Sequence, residues 1–193
     1  LKVDKVEVLM LHSFELYEKY KPQLTLFCEN NKVKFFNKLG VSVYTNEEAE
    51  VACLDSIIDR IQTPFNLLDN EQKRGATYTK IKSKRKIIDT RSVFLQGLFF
   101  KDTNQLSANL KTLKEPLEKL RSLAESNSLK IEELAIGYAF SMNFIDNILI
   151  GVDSLDQLKE NLIALKKTLS KQIIDEINEI SIQNINLLNP SFW

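Results

Sequence analysis

An α/β fold built on a parallel sheet is the class that this 193-residue sequence predicts, and three observations predict it. Five short apolar runs are each separated from the next by a helical segment, an alternation that demands parallel pairing with right-handed crossovers. The run Ile148, Leu149, Ile150 is unbroken and carries β-branched residues, as suits a strand buried on both faces beneath helices. Three of the runs close on a polar residue, His12, Ser42 and Gln62, where the carboxyl edge of a sheet opens toward a ligand. A doubly wound sheet shares the rhythm but requires a reversal of strand order that no feature of the chain indicates.

Taken in order, Val6, Val8, Leu9, Met10 and Leu11 form the first strand, which ends at His12 with Ser13 directly after it. A helical region follows over residues 23–38, with Leu24, Phe27, Phe35, Phe36 and Leu39 as its apolar members. Residues 40–44 are the second strand, and Thr45 caps the next helix ahead of Glu47, Glu48, Ala49 and Val51. Ile57, Ile58 and Ile61, closing on Gln62, form the third strand, and Pro64, Phe65 and Asn66 break the chain before a helix that begins near Asp69. Lys86, Ile87 and Ile88 lead the fourth strand into Arg-Ser-Val-Phe-Leu-Gln-Gly at residues 91–97.

Beyond Gly97 the pattern predicts a loop over residues 101–104, an amphipathic helix over 105–126 broken by Pro116, and a second over 131–142. After the fifth strand, Gly151 lets the backbone turn where a side chain would crowd it. Asp153 or Ser154 then caps the helix that Leu155, Leu158, Leu162 and Leu165 trace over residues 155–169. Free amides at that helix start offer a place for a phosphate. A helix over residues 173–180 leads to the tail Leu187 to Trp193, whose aromatic end reads as a packing lid.

Composition narrows the function classes. Lysine plus arginine number 26 and aspartate plus glutamate 26, so no bulk charge draws the chain to nucleic acid or an anionic membrane. Two cysteines, Cys28 and Cys53, make no disulfide framework and have no metal-ligand spacing, which points to a reducing cytoplasm. No apolar run approaches the roughly 20 residues that span a bilayer, and no cleavable signal is expected. With His12 as the single histidine, a histidine-rich metal site is excluded. The glycine-rich dinucleotide fingerprint and the phosphate loop with its lysine are absent. Ser13, Ser42 and Ser92 have no nucleophile-elbow context, and the carboxylate pairs Glu47 with Glu48 and Glu132 with Glu133 sit in first turns, where the helix dipole accounts for them.

Six ordered signatures then resemble the aldo-keto reductase family over nearly the whole chain. They are Val-Asp-Lys-Val-Glu-Val-Leu-Met-Leu-His at 3–12, Leu-Gly-Val-Ser-Val-Tyr at 39–44, Ile-Gln-Thr-Pro-Phe-Asn-Leu-Leu at 61–68, the segment 91–98, the segment 150–161, and Asn-Pro-Ser-Phe-Trp at 189–193. The form of the fourth and sixth is similar to bacterial members. The resemblance implies a (β/α)8 barrel of the TIM-barrel type, with this chain, as one domain over residues 1–193, covering its last five strand-helix units. It implies an NAD(P)H cofactor at the carboxyl ends of the strands and a small-molecule carbonyl substrate. By the same resemblance His12 orients the substrate carbonyl beside a catalytic tyrosine, and Ser42 and Gln62 hold the nicotinamide carboxamide. Ser92 and the backbone through Leu95 and Gln96 to Gly97 run along the pyrophosphate, Gln157 and Asn161 lie toward the adenosine end, and Gly151 and Ser154 at the turn and helix start join the cofactor-binding set.

Departures from the family pattern carry their own expectations. Val43 and Tyr44 follow Ser42 where many relatives have asparagine, and Arg91 stands where an aromatic ring commonly stacks on the nicotinamide. A guanidinium stacks there less effectively, or pairs with a phosphate or a substrate acid. Asp153 aligns near the adenosine 2′ position, where it repels a 2′-phosphate and accepts from a free ribose, so NAD is favoured over NADP, or cofactor binding is weak. The family's aspartate, tyrosine and lysine belong to strand units before this chain begins, and Tyr17, Tyr20, Tyr44, Tyr78 and Tyr138 match none of them. Without that proton donor the chain by itself is expected to be inactive. Its bared edge strands, near Val8 and Ile148, predict self-association or a missing N-terminal segment. Two functions are therefore weighed: hydride transfer to an aldehyde or ketone, or a non-catalytic binding or subunit role on the same scaffold.

Overall fold

A computed structural model describes residues 3–193, and their side chains outside 31–33. The described residues form an α/β fold on a five-stranded parallel sheet of order β1-β2-β3-β4-β5. The strands are β1 (Val6–Leu11), β2 (Phe36–Ser42), β3 (Arg60–Pro64), β4 (Ile87–Arg91) and β5 (Asn147–Ile148). The helices are α1 (Phe14–Phe35), α2 (Asn46–Leu54), α3 (Glu71–Ser83), α4 (Lys114–Ser126), α5 (Ile131–Phe140), α6 (Leu155–Ala164) and α7 (Lys171–Asn178). Strands neighbour one another in chain order, as the helical crossovers require. The chain divides into two compact units, Leu1–Thr63 with Ala76–Asp89 and Pro64–Gly75 with Thr90–Trp193.

In the first unit, β2 is the most buried strand, with Phe36, Leu39 and Val41 at 1% exposure or less. It has a partner on each side: Leu11 faces Val41 across β1, and Ser42 faces Gln62 across β3. Gly40 is closely approached there: a Cβ would meet Met10 Sδ at 2.7 Å and Arg60 Cβ at 3.2 Å, so the Met10 side chain would have to move aside. No residue of β1 is fully buried, as befits a strand paired on one side. The Arg60 guanidinium grips Asp89 with two bonds of 2.8 and 2.6 Å. Helix α2 starts on a capping box in which Thr45 Oγ1 accepts from Glu48 N while the Glu48 carboxylate accepts from Thr45 N.

Three boundaries in this unit differ from the sequence reading. Helix α1 begins at Phe14 and not at residue 23, because Ser13 caps it through Leu16 N at 3.2 Å. Phe36 and Leu39 belong to β2 and not to a helix; pairing with β1 decides their state. Ile57 and Ile58 precede β3, in a turn where Asp55 Oδ1 accepts from Ile57 N at 3.1 Å.

In the second unit, Phe65, Leu67, Leu68, Leu95, Leu98, Leu120, Leu134 and Tyr138 are fully buried. Phe65 and Tyr138 stack with ring centres 5.3 Å apart. The Arg74 guanidinium pairs with Asp69 through bonds of 2.8 and 2.7 Å, and both side chains are nearly enclosed. Pro116 does not break α4; it sits in that helix's first turn, where its missing N–H deprives no carbonyl, and short 3-10 turns over 103–105 and 108–113 precede it. Helix α6 ends at Ala164 and not at residue 169, and Ser170 caps α7 through Ile173 N, so that helix begins at Lys171. The fifth strand is not buried on both faces: β5 is two residues long and Leu149 is 42% exposed. It is the last strand in the order, held by Leu149 N donating to Thr90 O at 2.7 Å. Trp193 Nε1 donates to Leu187 O at 3.0 Å, while Phe192 is exposed.

Candidate functional site

The first unit gathers His12, Ser42 and Gln62 at one edge. The register that sets Leu11 opposite Val41 carries His12, one residue on, level with Ser42, which in turn faces Gln62. Ser42 Oγ donates to Gln62 Oε1 at 3.1 Å, and Val43 N donates to Gln62 O at 2.8 Å. That hydroxyl fixes the Gln62 carbonyl oxygen, so the amide nitrogen is the group turned to other partners. Ser42 is 8% exposed and His12 is exposed, so a bound group meets the imidazole without displacing core side chains.

A tyrosine beside a lysine and a carboxylate occurs in this unit, but with the wrong electrostatics for an acid catalyst. Tyr17 is fully buried and donates to Asp55 Oδ2 at 2.5 Å, while Lys21 Nζ lies 3.1 Å from the same oxygen. Burial, then the hydrogen bond to Asp55, push the Tyr17 hydroxyl up to about 12. Asp55 moves the other way, since the bonds from Tyr17, Ile57 N and Lys21 outweigh its own burial and hold it below the usual carboxylate range.

The second unit contains a cavity of about 750 Å³. Of the residues proposed from sequence, Ser92, Gln96, Gly97, Gly151, Asp153, Gln157 and Asn161 line it, whereas Arg91 and Ser154 do not. Arg91 Nη1 donates to Ser92 Oγ at 3.3 Å. Ser154 serves as the cap of α6: its hydroxyl accepts from Gln157 N at 3.2 Å, which decides between the two capping candidates. Gln157 Oε1 accepts in turn from Asp153 N at 2.8 Å. Asn161, 7% exposed, lies one turn further along the helix. Gly151 corrects the sequence reading, for a Cβ there meets nothing within 4 Å and its φ is ordinary. Chain reversal at that point needs no glycine.

One wall of the cavity is a strained turn. Ser92, Leu95, Gln96 and Gly97 all have positive φ, at 62°, 45°, 54° and 74°. Only glycine adopts that region without steric cost, so three of the four are held there by their surroundings. Leu95 N donates to Ser92 O at 2.8 Å and Leu98 N to Leu95 O at 3.0 Å, which closes the turn on itself. Successive backbone amides in such a turn make a concave anion cradle.

Sequence reasoning missed Glu132 and Glu160, which bring two more carboxylates to the cavity beside Asp153. Lys130 Nζ lies 3.8 Å from each of these glutamates. Glu160 was accessible to reasoning: it follows Gln157 by three residues and so shares its helix face. Glu132 carried no such signal, since its first-turn position already had an explanation in the helix dipole. Phe94 and Phe100 supply apolar wall and pack with ring centres 5.4 Å apart. Among the described residues no cluster of three or more His, Cys, Asp or Glu is placed to hold a metal, and no helix is long and apolar enough to cross a membrane.

Comparisons with known proteins bear on this geometry. The family model described as aldo/keto reductase family matches residues 1–182. Among solved structures, aldo-keto reductase AKR11C1 from Bacillus halodurans in its apo form is similar at a TM-score of 0.74 and 17% identity, over 94% of this chain and 64% of that one. Its holo form gives 0.74 and 17%, over 94% and 62%. A thermostable aldo-keto reductase solved with the inhibitor epalrestat gives 0.67 and 18%, over 93% and 61%. The chain thus spans less than two thirds of the length of these relatives. No curated protein matches it.

Proposed function

The chain belongs to the aldo/keto reductase family, and from that premise we propose that it forms the cofactor-holding part of an NAD(P)H-dependent oxidoreductase that reduces an aldehyde or ketone. Family and α/β fold of the TIM-barrel type support an oxidoreductase. The observation that carries the finer reading is the second-unit cavity, where a strained amide turn, the α6 N-terminus and a buried asparagine converge. Amides and a helix start suit a pyrophosphate, and carboxylates suit ribose hydroxyls, so the donor set fits a dinucleotide.

When bound, the nicotinamide supplies a hydride to the substrate carbonyl carbon. In this reading the Ser42 hydroxyl and Gln62 amide hydrogen-bond the carboxamide and so choose the ring face presented. His12 Nε2 or Nδ1 donates to the carbonyl oxygen and orients it. Ser92 and the amides of Gln96 and Gly97 hold phosphate oxygens, and Asn161 and Gln157 face the adenosine end. Asp153 accepts from the ribose hydroxyls at the adenosine end and repels a 2′-phosphate, which makes NAD the preferred cofactor.

Tyr17, the tyrosine that stands beside a lysine and a carboxylate, is not suited to give the proton. Tyr17 is buried and its proton is held more tightly than usual, the reverse of what a general acid needs. Full activity therefore belongs to a protein that also carries the family's earlier strand units, in a cytoplasmic setting. Absorbance of NADH with a panel of small aldehydes, run on this chain and on a chain extended by those units, tests the reading. Turnover by the extended chain is the expected outcome; tenfold tighter NADPH than NADH binding overturns the cofactor choice. The tightly held Tyr17 proton also favours a second reading, a non-catalytic nucleotide-binding subunit, which is retained if the extended chain binds NADH and turns nothing over.

A further inference from the structure

We propose that Asn66 is a positioning residue for the nucleotide cavity, one that extends the β3–β4 ladder by a rung that the backbone cannot supply. The claim rests on the nucleotide reading above and concerns how its phosphate wall is held. The backbone ladder between the two strands reaches Phe65 N donating to Arg91 O at 3.1 Å. The next residue, Ser92, turns to a φ of 62° and leaves strand geometry. There the Asn66 side chain takes over, its Nδ2 donating to Ser92 O at 3.2 Å. That same carbonyl accepts Leu95 N at 2.8 Å, so Asn66 grips the first atom of the turn that carries Leu95, Gln96 and Gly97 in left-handed conformation.

Asn66 is itself immobilised. It is fully buried; its Oδ1 accepts from Leu68 N and Asp69 N, both at 2.9 Å, and its backbone N donates to Asp69 O at 3.2 Å. Every hydrogen-bonding atom of the side chain thus has a use, with the carbonyl end closing its own loop and the amino end reaching the cavity wall. Three non-glycine residues with positive φ stay in place only when their surroundings over-determine them, and a rigid donor on the opening carbonyl is such a determinant. Ser92, Gln96 and Gly97 line the cavity, whereas Asn66 does not. It acts through the turn.

The test uses the full chain, with ADP as the probe and two readouts: ADP affinity by calorimetry and hydrogen exchange of the Leu95 amide. Asn66→Asp keeps the acceptor for the Leu68 and Asp69 amides and removes the donor to Ser92 O. The expected result is at least a tenfold weaker Kd for ADP and faster Leu95 exchange. Thr45→Ala, which loosens α2 in the other unit, serves as the control for general destabilisation and should leave both readouts unchanged. Asn66→Ser, whose short hydroxyl still accepts locally but cannot reach Ser92, should behave as Asn66→Asp does and replaces it if that variant fails to fold. Parental ADP affinity together with parental Leu95 exchange in both Asn66 variants overturns the proposal. Failure of the unmodified chain to bind ADP overturns the nucleotide reading instead, and Leu95 exchange then decides the role of Asn66 by itself.

Discussion

Ser42 and Gln62, twenty residues apart in the chain, face each other across β2 and β3 with the Ser42 hydroxyl donating to Gln62 Oε1 at 3.1 Å. The bond orients an amide at the carboxyl edge of the sheet. Removing it with Ser42→Ala frees the Gln62 amide to rotate and is expected to weaken NADH binding about fivefold to tenfold, roughly 1 kcal/mol for one hydrogen bond. Nicotinamide fluorescence titration measures it, and unchanged affinity would remove Ser42 from the binding scheme.

Cofactor choice is read in the second unit. Asp153 lines the second-unit cavity, so NADPH should bind more weakly than NADH. Asp153→Arg exchanges a repulsive charge for an attractive one and is expected to shift the NADPH to NADH affinity ratio by about tenfold or more toward NADPH. Competitive titration with the two cofactors checks the direction.

The Asp69–Arg74 pair predicts a large stability effect. Both side chains are nearly enclosed, and Asp69→Ala leaves the guanidinium buried without its carboxylate. A cost of about 3–5 kcal/mol follows, visible as a lowered urea midpoint.

The start of α2 predicts a smaller one. Thr45 Oγ1 satisfies Glu48 N at 3.1 Å, and Thr45→Ala should cost about 1 kcal/mol, read as a lowered Tm.

Alkaline unfolding has an identified contributor. Tyr17 is raised from 10.0 to about 12 by burial and by its bond to Asp55, so the folded chain keeps a proton that the unfolded chain has lost between those values. Its contribution is complete below pH 10 and disappears as pH rises through about 12. Tyr138, raised likewise by burial, adds to the same slope. Tyr17→Phe should therefore flatten, without abolishing, the fall in stability over that window. Denaturant titrations across the window measure the change.

The sequence by itself determined the α/β class, the five strand positions to within a few residues and the Thr45 cap. Those features are local: apolar periodicity, cap chemistry and motif order are written along the chain. Long-range pairing decided what could not be read there. Phe36 and Leu39 have a helical spacing with their upstream neighbours, yet hydrogen bonds to β1 make them strand. Leu149 looked buried and is exposed because β5 ends the strand order. Gly151 looked obligatory and has open space around it. Glu132 entered the cavity from a helix that sequence distance kept apart, and Asn66 reached Ser92 across 26 residues of chain. Periodicity reports which face of an element is apolar. Which other element meets that face, and which polar side chain fills the gap where two strands diverge, depends on the burial and hydrogen bonding of groups brought together only when the chain is folded.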